Sequence, residues 1–402
     1  MQALVYRRSV PRFLASRVAA RWWPRHFWGG LAPLRLEEIE RPCPAGWIRL
    51  KVRLCGICGS DLRLVRGEES FLMEPYASFP AVLGHECVAE VLEAPAGGGW
   101  KPGARVVVEP LLPCAVRGLP PCRFCAAGAY NLCENFTAGD LAPGPVGGYH
   151  SEAGGGFAEF LCVHPGQLVA VPDAVPDETA VLADSLASAL QPALDHFPAD
   201  GETTAIYGAG IVAQHLVRAL RALGSKARLV VVARHAFQKQ LALAGGADNA
   251  LLNPSRRELG EAVGARFLPT TLGGGNLEGG AAQVFGCVGS TGSIRESLLL
   301  LRGRGKLVLA GTAGTIGPLD VSSLWFRELT VVGANCYSFS PWNDGRRRTY
   351  ERAIEMLQNG YPAEGLLTHV FPLGAYRQAF KAAMDKRRFR SMKVALDPRR
   401  AG

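Results

Sequence analysis

One short stretch of this chain, Leu-Cys-Gly-Ile-Cys-Gly-Ser-Asp, brings together side chains that bind metals or carry protons. It places the thiol of Cys58 two residues before the hydroxyl of Ser60 and three before the carboxylate of Asp61. Its glycines are expected to let the backbone turn tightly there. His85 and Glu86 add an imidazole and a second carboxylate. Thiolate and imidazole are ligands that zinc prefers, and a catalytic zinc keeps one position open. Either residue alone is more typical of a buried cysteine or a hydrogen-bonded histidine, but together they predict a metal centre.

A second cluster consists of four cysteines in a lobe rich in proline, glycine and alanine. Cys114, Cys122, Cys125 and Cys133 are separated by seven, two and seven residues. Such a lobe, at about residues 110–135, lacks the large apolar side chains needed for a core of its own. Four thiolates around one tetrahedral zinc would close its coordination shell and make a structural site. Two disulfides or four free thiols are the alternatives.

From residue 202 the sequence changes to alternating strands and helices. A buried strand at Thr203–Tyr207, a glycine turn, a helix at Ile211–Leu223 and a second strand at Leu229–Ala233 form one unit. Strand, GxGxxA and helix in a unit of about 30 residues is the fingerprint of a dinucleotide-binding domain. Further βα units follow, and their continuously apolar strands predict a parallel, doubly wound sheet covered on both faces, an α/β fold.

Each position of the glycine turn has a physical reason. Gly208 makes the turn, Gly210 lets the backbone approach a pyrophosphate, and the small Ala213 lets the helix pack on the strand. The first helical residues, Ile211 and Val212, offer free N–H groups and the positive end of the helix dipole to the phosphates.

Composition limits the other classes of function. The chain has 402 residues with 48% hydrophobic content, and no apolar run approaches the ~18–20 residues of a membrane span. The clustering of its eleven cysteines favours metal binding in a reducing compartment, and we expect a cytoplasmic protein. The net charge of +9 comes from scattered arginines without an aromatic-basic recognition module, so nucleic-acid binding is not expected.

The segment Arg7–Gly30 is unusual because it is rich in arginine and tryptophan. A helix here would place Phe13, Val18 and Trp22 on one face, opposite the arginines. We expect it to pack on its own domain or at a subunit contact. Weak contact with an anionic membrane surface is the alternative.

The order of these motifs resembles the zinc-dependent medium-chain dehydrogenases, the alcohol, polyol and threonine dehydrogenase group. GICGSD, GHE, the four-cysteine lobe and GAGIVA carry the resemblance, which covers nearly the whole chain. It implies a GroES-like, β-rich catalytic domain at residues 1–186 and 334–402, and a Rossmann coenzyme domain at 187–333. It also implies a small-molecule substrate and a homodimer or homotetramer.

The resemblance also implies roles for individual residues. Cys58 and His85 match the first two catalytic zinc ligands, and Asp184 stands where the family has its third. Glu86 would be a nearby carboxylate that approaches the metal, and Asp61 would orient His85. Two zinc ions per chain are therefore expected, one catalytic and one structural.

The expected reaction is hydride transfer between an alcohol and a nicotinamide coenzyme. Zinc would lower the pKa of the substrate hydroxyl, and Ser60 would receive its proton. Two positions depart from the family pattern. Arg63 replaces the histidine that often ends the proton relay, and arginine cannot act as a base. Leu119 replaces the usual first lobe cysteine, so that Cys114 must reach in from further back.

The coenzyme preference follows from the end of the second Rossmann strand. NAD-using members have an acidic residue there, whereas this chain has Ala233 followed by Arg234 and His235. A guanidinium pairs well with a 2′-phosphate, so NADP(H) is expected, with NAD(H) as the alternative.

Two other functions stay open at this point. One is a zinc-free quinone or alkene reductase of the same superfamily, and the other is a catalytically idle structural or binding relative. The intact pair Cys58 and His85 argues against the first, and the intact glycine turn argues against the second.

Overall fold

The computed structural model describes residues 1–27, 29–95, 97–312, 314, 316–342 and 345–400. The chain divides into two compact units, Met1–Asp184 with Arg346–Gly402, and Ser185–Gly345. The boundaries predicted from the sequence lie at 186/187 and 333/334. Within the described ranges, every helix is too short or too polar to cross a bilayer.

The first unit begins with a β-rich region. Its strands are β1 Gln2–Tyr6, β2 Leu34–Glu38, β3 Ile48–Ile57, β4 Ala81–Val82, β5 Glu86–Glu93, β6 Arg105–Val108, β7 Phe160–Val163 and β8 Leu168–Ala170. Its helices are α1 Val10–Trp22, α2 Gly59–Val65, α3 Arg123–Ala126 and α4 Asp177–Ala180. Short 3-10 turns cover Phe71–Tyr76, Cys114–Arg117, Tyr130–Leu132 and Pro165–Gln167.

The second unit consists mostly of alternating strands and helices. Its helices are α5 Ala183–Asp195, α6 Ile211–Ala222, α7 Ala236–Ala244, α8 Arg256–Val263, α9 Thr291–Leu299 and α10 Ser322–Phe326. Its strands are β9 Thr203–Tyr207, β10 Arg228–Ala233, β11 Asn249–Leu252, β12 Ala265–Leu268, β13 Asn276–Gly279, β14 Ala281–Gly286, β15 Leu301–Leu309, β16 Thr330–Gly333 and β17 Phe339–Trp342.

The chain then returns to the first unit. The remaining elements are β18 Gly345–Arg348, α11 Thr349–Gln358, β19 Leu367–Pro372, a 3-10 turn at Leu373–Ala375, α12 Tyr376–Met384, α13 Lys386–Phe389 and β20 Lys393–Asp397.

Strand β3 is the central strand of the first unit. It lies in a seven-stranded sheet with the order β19-β20-β3-β5-β6-β8, and it also pairs with β7. Ile48, Leu50 and Val52 alternate with polar residues, and they are fully buried in the core. Because β20 pairs with β3, the end of the chain completes a sheet that the first 170 residues begin.

The second unit contains the predicted parallel sheet. Six parallel strands follow the order β11-β10-β9-β14-β15-β16. Neighbouring residues of a strand point to opposite faces, so Ile206 joins the core under α6 while Ala205 joins the core under α8 and α9. Both faces are covered, as expected for a Rossmann domain, and the α/β fold prediction is confirmed.

The predicted helix in the arginine-rich segment is present as α1, but its predicted apolar face is wrong. Phe13 lies against the domain, with its ring 5.7 Å from that of Phe71. Val18 and Trp22 point into solvent. The three positions were too widely spread around the helix to share one face. Trp28, a further tryptophan of this segment, lies outside the described residues.

Candidate functional site

Strand pairing brings the first candidate metal centre together. Cys58 directly follows β3 and precedes the first residue of α2, while Glu86 opens β5 and is paired with Gly56 of β3. The ligand atoms of Cys58, His85 and Glu86 lie within 4.8 Å of one another. A thiolate, an imidazole and a carboxylate are all zinc ligands, so these residues fit the metal that the sequence analysis predicted.

Glu86 is also held by a buried lysine. Lys393 Nζ, at the start of β20, donates to Glu86 Oε1 at 2.6 Å and to Oε2 at 2.5 Å. Both side chains are about 1% exposed. Because both carboxylate oxygens accept from Lys393, direct binding of a metal by Glu86 would replace one of these hydrogen bonds. Lys393 was not predicted to have a role, because a single lysine 307 residues away from Glu86 in sequence carries no signal.

The two glycines of the GICGSD motif serve different purposes from those predicted. Neither has a left-handed backbone, so the expected tight turn is not their function. Gly56 lies in β3 beneath the ion pair, and a Cβ there would stand 2.2 Å from Glu86 Oε2. A Cβ on Gly59 would meet no atom within 4 Å. Gly56 is therefore required by the carboxylate that crosses it.

His85 lies among negative groups. Burial acts to lower its pKa, but the charge and hydrogen bond of Cys58, followed by the charges of Asp61 and Asp184, raise the pKa well above its ordinary value. Its Nδ1 is buried without a hydrogen-bond partner in the described chain. Asp61 Oδ1 lies 3.9 Å from Nδ1, too far for a hydrogen bond. Asp61 thus acts on His85 electrostatically and without a direct hydrogen bond, and its role in orienting His85 stays a prediction.

Asp61 is instead held by Cys58 and by a tyrosine that the sequence analysis missed. It accepts from the Cys58 N–H at 2.9 Å and from the Tyr149 hydroxyl at 2.8 Å. The same hydroxyl lies 2.9 Å from Ser60 Oγ. Since a phenol has one proton and a carboxylate only accepts, Tyr149 donates to Asp61 and its oxygen receives the Ser60 proton. Burial is the main cause of the raised pKa of Tyr149.

Asp184, the predicted third ligand, is buried in the first turn of α5. Its charge acts on both His85 and Lys393. It lies outside the group of ligand atoms within 4.8 Å of one another. Its role as a ligand therefore stays a prediction, with Glu86 as the carboxylate nearer to Cys58 and His85.

Arg63, which stands in the place of the usual relay histidine, is bound within its own loop. Its guanidinium donates to the Glu68 carbonyl at 3.1 Å and lies 3.8 Å from the Glu69 carboxylate. These contacts stabilise the turn after α2, and an always-protonated guanidinium takes no proton from substrate.

The second candidate metal centre contains the four predicted cysteines. All four Sγ atoms lie within 4.8 Å of one another, and Cys114 is brought in by the 3-10 turn that it begins. Backbone N–H groups point at the sulfurs, and those of Glu134 and Cys125 lower the pKa of Cys122 to about 6. Burial raises the pKa of Cys125 and of Cys133. The donors therefore favour the thiolate, the form that binds zinc, at Cys122, and a bound zinc would favour it at the others. The geometry therefore fits a closed four-thiolate site.

The cysteine lobe has a further support that the sequence analysis missed. Arg117 is completely buried, and its guanidinium donates only to backbone carbonyls. The acceptors are Leu112, Ala138, Leu141, Ala142 and Gly144. The four cysteines are consequently not the only link in the lobe.

The glycine turn of the second unit has the expected form. Gly208 has φ 111°, and a Cβ there would meet Val288 at 2.6 Å. Gly210 precedes α6, and a Cβ on it would meet no atom within 4 Å. Protein packing therefore does not require Gly210, and the open space next to the N–H groups of Ile211 and Val212 fits a pyrophosphate. The small Ala213 is buried against the sheet, as predicted.

The end of strand β10 carries the positive charge of Arg234. Ala233 is buried as the last strand residue, and Arg234 is exposed and forms no ion pair within the described ranges. The ring of His235 stacks on Phe237 at 5.8 Å, and its backbone N–H donates to the Gln238 side chain at 3.3 Å. Arg234 is therefore free to meet an anion.

Two cysteines outside both clusters, Cys43 and Cys162, form a disulfide. This disulfide was not predicted from the sequence, because 119 residues separate the two cysteines.

Known protein families and individual relatives match this chain. Residues 44–173 match the alcohol dehydrogenase GroES-like domain, and residues 212–359 match the zinc-binding dehydrogenase family. Starvation-sensing protein RspB of Escherichia coli K12 is 27% identical, over 84% of this chain and 89% of its own. L-threonine 3-dehydrogenase of Anaeromyxobacter sp. strain K is also 27% identical, over 87% and 90%.

A solved structure shows the same architecture. A zinc-binding dehydrogenase from Sinorhizobium meliloti 1021, bound to NADP, superposes with a TM-score of 0.70. It is 26% identical, and the match covers 91% of this chain and 95% of the other. The chain belongs to the zinc-dependent medium-chain dehydrogenases, which are oxidoreductases that use zinc and a nicotinamide coenzyme.

The two motif glycines yield a paired prediction. Gly56→Ala should break the Glu86–Lys393 pair and leave buried charges unpaired, lowering the free energy of unfolding by about 3–5 kcal/mol. Gly59→Ala is the matched control and should change it by less than about 1 kcal/mol, because its Cβ meets no atom. Urea unfolding of both variants measures the difference. Equal stabilities would contradict the requirement for glycine at 56.

Proposed function

We propose that this protein transfers hydride between a nicotinamide coenzyme and a hydroxyl-bearing small molecule, an alcohol or polyol, or reduces the corresponding carbonyl. The observation that carries the proposal is the convergence of Cys58, His85 and the carboxylate of Glu86. Ser60 follows Cys58 by two residues, and its hydroxyl is hydrogen-bonded to Tyr149. A relative named for threonine, a small hydroxylated compound, favours the same substrate class.

Cys58 and His85 would hold the catalytic zinc, with Asp184 or Glu86 as the third ligand. When bound, zinc acts as a Lewis acid that lowers the pKa of a substrate hydroxyl. The negative groups around His85 favour a cation at this place. Lys393 opposes this by adding a buried positive charge and by engaging both oxygens of Glu86. This engagement supports Asp184 as the third ligand.

Ser60 would accept the hydroxyl proton of the substrate. As it does so, its own proton would pass to the Tyr149 oxygen, and the Tyr149 proton would pass to the Asp61 carboxylate that accepts from it. Asp61 is held in place by the Cys58 N–H. Tyr149 and Asp61 would therefore carry the proton onward from Ser60, which the always-protonated guanidinium of Arg63 cannot do.

The coenzyme would bind at the N-terminus of α6, with its pyrophosphate over Gly210 and the N–H groups of Ile211 and Val212. At the end of β10, Arg234 and His235 would face the 2′-phosphate of NADP(H). NAD(H) would lack this contact, although an arginine can also stack on adenine.

The proposal predicts two zinc ions per chain, one catalytic and one structural. Cys58→Ser should abolish turnover and lower the zinc content from about two to about one per chain, with an unchanged unfolding midpoint. Cys125→Ser should remove the other ion and lower the midpoint, and the protein should still fold because Arg117 continues to link the lobe. Elemental analysis and thermal unfolding test both variants. One zinc or none in carefully purified wild-type protein would refute the assignment.

The zinc content of two variants tests whether Asp184 is the third ligand of the catalytic zinc. If Asp184 binds the ion, Asp184→Asn should lose the catalytic zinc and keep the four-cysteine zinc, because an amide is a much weaker ligand. Asp195→Asn, at the exposed other end of α5, is the control and should keep both. If Asp184→Asn keeps both zinc ions, Asp184 is not the third ligand and Glu86 takes that role.

The coenzyme preference is tested by binding as well as by rate. A charge-assisted hydrogen bond contributes ~1.5–3 kcal/mol, so wild-type protein should bind NADPH roughly 10- to 150-fold more tightly than NADH. Arg234→Gln should remove most of this ratio, and Ala233→Asp should reverse it by repelling the 2′-phosphate. Arg266→Gln, an exposed arginine of the same unit, is the control. Tighter binding of NADH by wild-type protein would overturn the preference.

A further inference from the structure

Helix α1 has a firmly docked inner face. Phe13 packs against Phe71, Ser16 and Ala20 are buried, and Arg8 pairs with Glu74 of the neighbouring 3-10 turn. The backbone of Gly67 comes so close that a Cβ would stand 2.4 Å from the Phe13 carbonyl. The orientation of the helix is therefore fixed, and its other face is defined without ambiguity.

The outer face of α1 is an apolar ridge. Val10, Leu14, Val18 and Trp22 recur every fourth residue and so follow one another along the helix. Their exposed fractions are 57%, 47%, 61% and 71%. Trp23, at the end of the helix, is 58% exposed. Single exposed apolar residues are ordinary, but a continuous ridge of large ones marks an interaction surface.

Arginines border this ridge without acidic partners. Residues 7–30 contain six arginines and no aspartate or glutamate. Arg7 and Arg8 pair with glutamates from elsewhere in the chain. Arg12, Arg17, Arg21 and Arg25 are exposed, and in the part of the chain that the structure describes they form no ion pair. Arg17 and Arg21 follow Leu14 and Val18 by three residues, which places them beside the ridge.

We propose that α1 binds an anionic lipid surface, with the Val10–Trp22 ridge in the acyl boundary and its arginines on the lipid phosphates. Apolar side chains with flanking arginines and tryptophans at an interfacial depth are the composition of helices that lie on membranes. A second copy of the chain fits the same ridge poorly, because two acid-free faces with unpaired arginines would repel each other. The attachment is peripheral and independent of the oxidoreductase activity.

Sedimentation with vesicles tests the proposal on the full-length protein. Vesicles of phosphatidylcholine alone are compared with vesicles of equal parts phosphatidylcholine and phosphatidylglycerol at physiological salt. The anionic vesicles should sediment at least about tenfold more protein, and about 1 M salt should weaken the binding by screening the arginines. Equal sedimentation with both compositions would overturn the proposal.

Two sets of substitutions separate the apolar and the charged contributions. Leu14→Ser with Val18→Ser and Trp22→Ser should reduce binding at least about tenfold, and so should Arg17→Gln with Arg21→Gln. Leu272→Ser removes a 90% exposed leucine of the second unit and should leave binding unchanged. All replaced side chains are exposed, so unfolding midpoints should match wild type.

Light scattering, which measures the mass of the protein in solution, tests whether a second copy of the chain binds the ridge instead of lipid. If the ridge binds lipid, the triple serine variant should keep the wild-type mass in solution. If that variant instead falls to a smaller oligomer and wild-type protein stays in the supernatant with anionic vesicles, the ridge is a contact between copies and the lipid proposal is wrong.

Discussion

The ion pair between Glu86 and Lys393 is the constraint on which the first unit depends. Burying two charges is costly unless each is fully paired, and here both carboxylate oxygens accept from one ammonium group. The pair lies over Gly56 of β3, between the first residues of β5 and β20. It therefore requires all three strands in register, and it links the two ends of the chain to the place where the candidate metal ligands meet.

This arrangement determines what the centre can do. Glu86 is held close to Cys58 and His85, yet its charge is already balanced by Lys393. The charges of Cys58, Asp61 and Asp184 also act on His85. A cation at this place would be attracted by them and repelled by Lys393. The proposed difference in role between Asp184 and Glu86 follows from the hydrogen bonds that Lys393 donates to both oxygens of Glu86.

The cysteine lobe shows how polar contacts can order a segment that has little apolar core. In the lobe, N–H groups point at thiol sulfurs, and Arg117 satisfies five carbonyls, four of them 21 to 27 residues away in sequence. Buried polar groups of this kind must all be satisfied, so they accept only one backbone arrangement. The ion pair of Glu86 and Lys393 differs in that it lies within the large buried core of the first unit.

The sequence by itself determined what is local. The Rossmann strands, the glycine turn and the α/β class followed from periodicity over a few residues. Cys58 with His85 and the four cysteines were predicted as metal ligands from their residue types and from the order of the motifs. Only the tertiary structure revealed Lys393 on Glu86, Tyr149 on Ser60 and Asp61, and Arg117 in the lobe, since each is a single residue that strand pairing or loop closure brings from a distance. It also decided which face of α1 is exposed, because a helical pattern defines the faces of a helix but docking chooses the one that is buried.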